Sequence, residues 1–149
     1  MKTKNLKTMS KKLFFMMFLL VGVANTSQAQ TKSDAILGEW INEKKDAKFQ
    51  IFKKDNKYFG KVIWGTGGDA KDVKNPDAKL RDREVIGLVI LNNFVFDGDD
   101  TWEDGTIYDP REGKTYSCKI TQKGKDKINV RGFVGISMFG RTEVWTKIK

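Results

Sequence analysis

Histidine is absent from the 149 residues, which limits the acid–base chemistry open to this chain. Histidine is the side chain whose unperturbed pKa lies nearest neutrality, so a general acid or base here would have to be a strongly shifted Asp, Glu, Lys or Tyr. Zinc sites with histidine ligands and Cys–His nucleophiles are excluded, and the single Cys118 cannot build a thiolate cage. The composition therefore favours a protein that is not an enzyme and predicts neither a metal nor a cofactor.

Carboxylates provide the remaining candidates for chemistry. The acidic cluster at residues 97–105 fails as an EF-hand loop, because Trp102 stands where glycine is needed and Tyr108 where the bidentate glutamate belongs. A solvated hairpin is the favoured interpretation of this cluster. Glu103 and Asp109 could instead form a glycosidase pair, an alternative that depends on the separation of their carboxyl groups.

Arginine and aromatic side chains suggest binding rather than catalysis. Arg81 and Arg83 could grip a carboxylate or phosphate with their planar guanidinium groups, although an ion pair with Asp82 or Glu84 would be the simpler structural use. Basic residues are spread among nearly as many acids, so no nucleic-acid partner is expected. The aromatic residues that could line a ligand cavity, or simply fill a core, are Trp64, Trp102 and Tyr116.

The first 29 residues have the three parts of a secretory signal peptide. Five lysines without any acid precede an apolar run at residues 13–24, and small polar residues follow up to Ala29, where cleavage is predicted. Twelve apolar residues extend only about 18 Å as a helix, too short for a ~30 Å hydrocarbon core. We therefore expect a leader at 1–29, an exported domain at 30–149 and no stable membrane span after cleavage, with a retained anchor as the alternative.

Short segments rich in aromatic and β-branched residues alternate with turn signals along the exported domain. Turns such as 54–57, 109–113 and 122–126 carry the Asn, Asp, Pro and Gly that tight hairpins need, so consecutive strands should pair antiparallel. Candidate strands are 37–42, 48–53, 58–64, 85–91, 93–97, 105–108, 114–121, 127–133 and 141–148. The pattern predicts a single all-β domain, an antiparallel β-barrel of eight to nine strands.

One segment breaks this rhythm. Residues 65–84 are too long for an ordinary hairpin loop and are expected to form a crossover or lid. A short helix is predicted at 77–81, with Asn75 as its cap and Pro76 at its first position. Cys118 lies on the apolar side of an alternating segment and is expected to be a buried, unreactive thiol.

Short motifs follow one another in a fixed order along the exported domain. They are Gly38-Glu-Trp40, Gly60-Lys-Val-Ile-Trp64, Asn75-Pro-Asp77, Leu80-Arg-Asp-Arg83, Gly87, Trp102-Glu-Asp-Gly105, Ile107-Tyr-Asp-Pro110, Gly113-Lys-Thr-Tyr116, Val130-Arg-Gly132 and Gly140-Arg-Thr-Glu-Val-Trp-Thr146. Together these motifs resemble a known family of small exported bacterial proteins, the domain-of-unknown-function family numbered 2147. The resemblance covers essentially the whole exported domain and implies a bacterial envelope location, but no established activity and no catalytic residues.

The first strand also resembles that of the lipocalin and fatty-acid-binding barrels, which begin with Gly-x-Trp. That resemblance implies a basic residue of the last strand packed against the tryptophan, here Trp40 of the Gly38-Glu-Trp40 motif with Arg141 or Lys147. It also implies a lipocalin-like barrel that either holds one small ligand or is filled by side chains.

These observations predict a periplasmic or secreted, non-enzymatic binding protein for a small apolar or anionic amphipathic molecule. The apolar part of the ligand is expected against Trp64, Trp102 and Tyr116, and its head group against Arg81 or Arg83. The alternatives are a structural or stress-related envelope protein with a filled barrel and, less favoured, an enzyme using the carboxylate pair.

Overall fold

The computed structural model describes residues 31–148, and the predicted leader at 1–29 lies outside these residues. Eight strands form one closed antiparallel barrel, in which each strand pairs with the next and β1 pairs with β8. The strands are β1 (Gly38–Asn42), β2 (Ala47–Lys54), β3 (Lys57–Gly65), β4 (Val89–Phe96), β5 (Thr101–Asp109), β6 (Lys114–Lys123), β7 (Lys127–Phe133) and β8 (Gly140–Lys147). The prediction of a single antiparallel β-barrel is confirmed.

The expected strands at 85–91 and 93–97 are in fact parts of one strand, β4. Residues 85–88 form a turn instead, in which the Leu88 amide donates to the Val85 carbonyl at 3.1 Å. Asn93 has a φ of 64° but lies within β4 and does not end the strand. The register between β3 and β4 also shifts on both sides of Gly60. These irregularities explain why Ile90 and Leu91, although consecutive, are both buried.

Large aromatic side chains fill much of the barrel interior. Phe49 and Trp145 stack with ring centroids 3.9 Å apart, and Trp102 packs against Phe96 at 4.9 Å and against the edge of Tyr58 at 6.3 Å. The side chains of this core that are at most 2 % exposed are Ile36, Trp40, Ile51, Tyr58, Leu91, Phe94, Trp102, Cys118, Ile120, Ile128 and Trp145. Aromatic and aliphatic side chains together therefore supply the apolar burial that stabilises the barrel.

The N-terminal segment at 33–37 covers one end of the barrel, which we call the capped end. The indole Nε1 of Trp40 donates to the Ile36 carbonyl at 2.8 Å, and that of Trp102 donates to the Ser33 carbonyl at 3.0 Å. Tyr58 and Lys53 both donate to the Asp34 carboxylate, at 2.7 and 2.8 Å. The tight β2–β3, β4–β5 and β6–β7 connections lie at this same end.

Trp40 is fully buried beside Lys147, as the Gly-x-Trp pattern implied. The Lys147 ammonium lies 5.3 Å from the ring centroid of Trp40 and donates to the Ala35 carbonyl at 3.0 Å. Gly38 lies at the start of the same strand, where the Lys147 side chain passes close to its backbone. Arg141 takes no part in this contact, because it lies six residues away along β8.

The opposite end, which we call the loop end, carries the β1–β2, β3–β4, β5–β6 and β7–β8 connections. The long β3–β4 connection contains only a 3₁₀ turn, Ala78–Leu80. Its cap is the Asp77 side chain, which accepts from the Lys79 amide at 3.0 Å, rather than the predicted Asn75. Asn75 is buried instead, because its amide group donates to both Asp72 and Tyr108.

Candidate functional site

Strand β8 directs three side chains toward the barrel interior at the loop end. Residues at positions 141, 143 and 145 pair with Gly132, Val130 and Ile128 of β7, and Ile128, Val130 and Trp145 are buried. Because alternate residues of a strand share a face, Arg141 and Glu143 point the same way as Trp145. Exposure rises along this row, from buried Trp145 through half-buried Glu143 to exposed Arg141.

Glu143 is held by hydrogen bonds to both carboxylate oxygens. Trp145 Nε1 donates to one oxygen at 2.9 Å, and Asn42 Nδ2 lies 3.3 Å from the other. The same Asn42 amide donates to Asp46 at 2.6 Å, and Arg111 contacts Asp46 at 3.3 Å. These contacts form one polar chain from the core to the rim of the loop end.

Asp46 carries the negative charge at the rim end of this chain. The hydrogen bond from Asn42 lowers the pKa of Asp46, burial opposes that effect, and the nearby Arg111 guanidinium adds to it. Asp46 follows β1 and Arg111 follows β5, so their ion pair joins two sides of the loop end that are distant in strand order. Asp46 and Arg111 are therefore ion-paired with each other.

Arg141 is the exception within this row of polar groups. Within residues 31–148 its guanidinium makes no hydrogen bond or ion pair with another residue. Its guanidinium is therefore available to an anion, and a planar guanidinium binds carboxylate and phosphate through paired hydrogen bonds.

Tyr116 and Ile107 provide apolar surface on the same inner face. They pair across β5 and β6, two residues from the interior pair Gly105 and Cys118, and both are half-buried. The Tyr116 hydroxyl donates to the Glu112 carboxylate, and this hydrogen bond raises the pKa of Tyr116. Gly132 lies beside them on β7, where an added Cβ would be 3.4 Å from Ile107 and 3.7 Å from Tyr116, both ordinary contact distances.

The aromatic residues proposed from sequence are separated by the fold. Trp64 pairs with Lys48 on the outer face, is 40 % exposed, and has the Lys48 ammonium 5.3 Å from its ring centroid. Trp102 is fully buried at the capped end. Only Tyr116 lies on the inner face at the loop end.

The two arginines proposed from sequence serve the β3–β4 connection. Arg83 donates to the fully buried Asp72 through Nε at 2.9 Å and Nη2 at 2.8 Å, and lies 5.7 Å from the Tyr108 ring centroid. Arg81 Nε donates to the Asn75 carbonyl at 2.8 Å. Arg83 thus has an ion-pair partner, which is Asp72 rather than the expected Asp82 or Glu84.

The carboxylate alternatives lack the required geometry. Glu103 and Asp109 lie near opposite ends of β5, and six residues of strand span about 20 Å, well beyond the ~5 to 9.5 Å of glycosidase pairs. In the 97–101 turn, the Asp97 carboxylate accepts from the Asp99 and Thr101 amides, as a hairpin requires. Among residues 31–148, no group of three or more His, Cys, Asp or Glu side chains could hold a metal ion.

Glu143 and Asn42 were missed by the sequence reasoning, and Arg141 was considered only as a partner of Trp40. The alternation of Arg141, Glu143 and Trp145 along one strand could have revealed their common face. Nothing in the sequence pairs Asn42 with Glu143, because the two residues are 101 positions apart.

Comparison with known families gives a match over residues 38–147, which include all eight strands, to the family described as "Uncharacterized protein conserved in bacteria (DUF2147)". The chain belongs to this family. The resemblance drawn from the sequence motifs is thereby confirmed. A search of curated proteins gave no significant match for this DUF2147 protein.

A solved structure supports the fold of this DUF2147 domain. It is the protein HP1028 from the human pathogen Helicobacter pylori, described as belonging to the lipocalin family. The match has a TM-score of 0.70 and 23 % sequence identity, and covers 76 % of this chain and 83 % of the other. At this identity the likeness establishes the lipocalin-like fold of the DUF2147 domain alone.

No helix within residues 31–148 of the DUF2147 chain is long and apolar enough to cross a membrane. The family description adds that its members occur in bacteria.

Proposed function

We propose that this protein is a non-enzymatic binding protein for a small anionic amphipathic molecule, which it takes at the loop end of the barrel. The observation that carries the proposal is the exposed Arg141 guanidinium on the inner face, without a partner in residues 31–148. Tyr116 and Ile107 supply half-buried apolar surface on that face. A charged head group and a short apolar part together match this arrangement.

The filled interior limits how far such a ligand can enter. Trp40, Trp102 and Trp145 are at most 1 % exposed, and residues 33–37 cover the capped end. Each buried CH₂ contributes about 0.8 kcal/mol, but only those groups that reach the loop-end surface gain it. Affinity should therefore rise with chain length over the first few carbons and then level off, and remain micromolar or weaker.

The proposed head-group contact moves from Arg81 and Arg83 to Arg141. Arg83 is engaged by the buried Asp72, and removing it from that carboxylate would leave a buried charge unpaired. Within residues 31–148 Glu143 makes no ion pair with Arg141, and its oxygens accept instead from Trp145 and Asn42. Arg141 is thus the cation that best fits an anionic head group.

A structural role in the bacterial envelope is the second candidate. The stacked Phe49 and Trp145 rings, 3.9 Å apart, favour a barrel that is filled rather than hollow in this region. A protein of this kind would bind no small molecule and would act through its outer surface.

Export with cleavage after Ala29 belongs to the same proposal, and places the mature protein in the periplasm or outside the cell. It is supported by the lysine-rich start, the apolar run at 13–24 and the small residues that follow. N-terminal sequencing of the exported fraction should begin at Gln30. An intact Met1 start in washed membranes would instead establish a retained anchor.

Titration with a fluorescent fatty acid and its methyl ester tests the ligand proposal. Arg141→Gln should weaken binding of the acid about tenfold or more, as expected for loss of a charge-assisted pair, with little change for the ester. Arg81→Gln, which alters an exposed arginine outside the barrel interior, is the matched control and should change neither.

The opposite outcomes are equally informative. A loss with Arg81→Gln but not with Arg141→Gln would return the head group to the β3–β4 connection. Absence of saturable binding by the wild-type chain, with an unchanged circular dichroism spectrum, would favour the structural role.

A further inference from the structure

The β7–β8 connection exposes an unusual set of apolar side chains at the loop end. Val134, Ile136, Met138 and Phe139 are 71, 59, 75 and 71 % exposed. The stretch from 132 to 140 contains no charged residue. Contiguous exposed apolar surface of this kind marks an interaction site.

Arg131 holds this connection in a defined shape. Its guanidinium donates to the Ser137 carbonyl at 2.6 Å and to the Met138 carbonyl at 3.1 Å, while a third bond at 2.7 Å reaches Thr142 on β8. The Phe139 amide closes a turn on the Ile136 carbonyl at 3.2 Å. The apolar side chains are therefore presented outward by a braced loop instead of packing onto the barrel.

The size and charge of this loop favour a lipid surface over a second protein. Four such side chains expose on the order of 400 Å², about half of the ~800 Å² that each partner buries in a stable interface. Arg131 precedes the loop and Arg141 follows it, so positive charge flanks an uncharged apolar tip. Apolar tips with basic flanks suit an anionic bilayer, where the tip enters the headgroup region and the cations meet phosphates.

We propose that residues 134–139 insert into the headgroup region of an anionic bilayer and orient the loop end of the barrel toward the lipid. The described chain begins at the opposite, capped end, where the Ser33 carbonyl accepts from Trp102 Nε1. Arg141 flanks both this loop and the ligand site, but none of the four apolar side chains belongs to the inner face of the barrel.

Site-specific fluorescence tests the orientation. In the exported chain with Cys118→Ser, a polarity-sensitive label is placed through Met138→Cys, or through Asp99→Cys in an exposed turn at the capped end as the matched control. Vesicles of phosphatidylethanolamine and phosphatidylglycerol should shift the emission of the first label to the blue and leave the second unchanged. No shift at position 138, or a shift only at position 99, would overturn the proposal.

Substitution of the loop tip tests its energetic role. Met138→Asp combined with Phe139→Asp should lower the vesicle partition coefficient about tenfold or more, because two apolar groups proposed to enter the bilayer become negatively charged. Val95→Asp is the control, since Val95 is an exposed apolar residue on the barrel wall. Equal losses in both variants, or none in either, would contradict a loop-specific contact.

Light scattering of the same variants distinguishes lipid from a second copy of the chain. The wild-type protein should remain a monomer without vesicles. A concentration-dependent dimer that the tip variant abolishes would assign the loop to self-association and overturn the bilayer proposal. Because Arg141 is intact in these variants, unchanged fatty-acid binding would show that the two sites are separate.

Discussion

Arg83 forms a two-point ion pair with Asp72, whose carboxylate is completely buried outside the barrel wall beside Tyr108. The Tyr108 hydroxyl and the Asn75 amide also donate to this carboxylate, at 2.5 and 2.8 Å. Four donor contacts from three side chains thus fix the β3–β4 connection to β5. The arginine that seemed suited to a ligand stabilises the fold instead.

Loss of the Asp72 charge should destabilise the protein. Asp72→Asn removes the charge that pairs with the Arg83 guanidinium, and because the Arg83 side chain is 36 % exposed the loss should be about 1 to 3 kcal/mol. Urea unfolding measures the change. Asp82→Asn is the control, because the ion pair between Asp82 and Lys71 is exposed and its loss should change stability little. Equal unfolding midpoints for the two variants would contradict this role of Asp72.

Stability should also fall in acid partly through Asp72. Burial alone would raise the pKa of Asp72, but hydrogen bonds from Tyr108, Asn75 and Arg83 outweigh it and lower the pKa. Because the folded-state pKa lies below the unfolded value of about 3.9, the stabilisation is present above about pH 5 and decreases as the pH falls toward the folded pKa. Unfolding midpoints between neutral and acid pH should fall less steeply in Asp72→Asn than in the wild type. Parallel curves would exclude the effect.

Lys147 should stabilise the capped end through Trp40 and Ala35. Lys147→Met keeps the aliphatic stem but removes the cation–π contact and the hydrogen bond to the Ala35 carbonyl, a loss of about 1 to 2 kcal/mol. Thermal unfolding should show a melting temperature lower by several degrees. Lys123→Met, at an exposed position on β6, is the control and should melt like the wild type.

Gly105 should be required by the adjacent Phe94 ring. A Cβ at this position would lie 2.5 Å from three ring atoms of the fully buried Phe94, so Gly105→Ala forces the core to shift and costs about 1 to 3 kcal/mol. Gly132→Ala is the matched control, since its Cβ would make only ordinary contacts. Urea midpoints compare the two, and similar losses would argue against this close packing.

Cys118 should be inert in the folded protein. Burial raises the pKa of its thiol to about 12, so roughly one molecule in ten thousand carries the reactive thiolate at pH 8. Reaction with dithiobis(nitrobenzoate) should be negligible in buffer and complete in denaturant. Rapid labelling of the native protein would indicate that the interior opens beside β6.

Period-two alternation and turn chemistry predicted much of the barrel. Residues 127–133 were predicted as a strand and are β7, and 114–121 lie within β6. The cap of the 3₁₀ turn was less predictable, because the Asn75 amide is drawn into contacts with Asp72 and Tyr108. The turn at 85–88 also depends on remote partners, since the Val85 amide donates to Ala70 and the Gly87 amide to Val62.

The sequence by itself determined the all-β class, the buried Trp40, the inert setting of Cys118 and the family, because these depend on local periodicity and short motifs. Only the tertiary structure decided that Lys147 rather than Arg141 packs on Trp40, that Arg83 binds Asp72, and that Trp64 faces outward. Register and long-range pairing fix these outcomes, since a shift of one residue turns every side chain of a strand to the other face. The same closure of β1 onto β8 brings Asn42 to Glu143, while the Arg141 guanidinium at the rim of the loop end has no partner among residues 31–148.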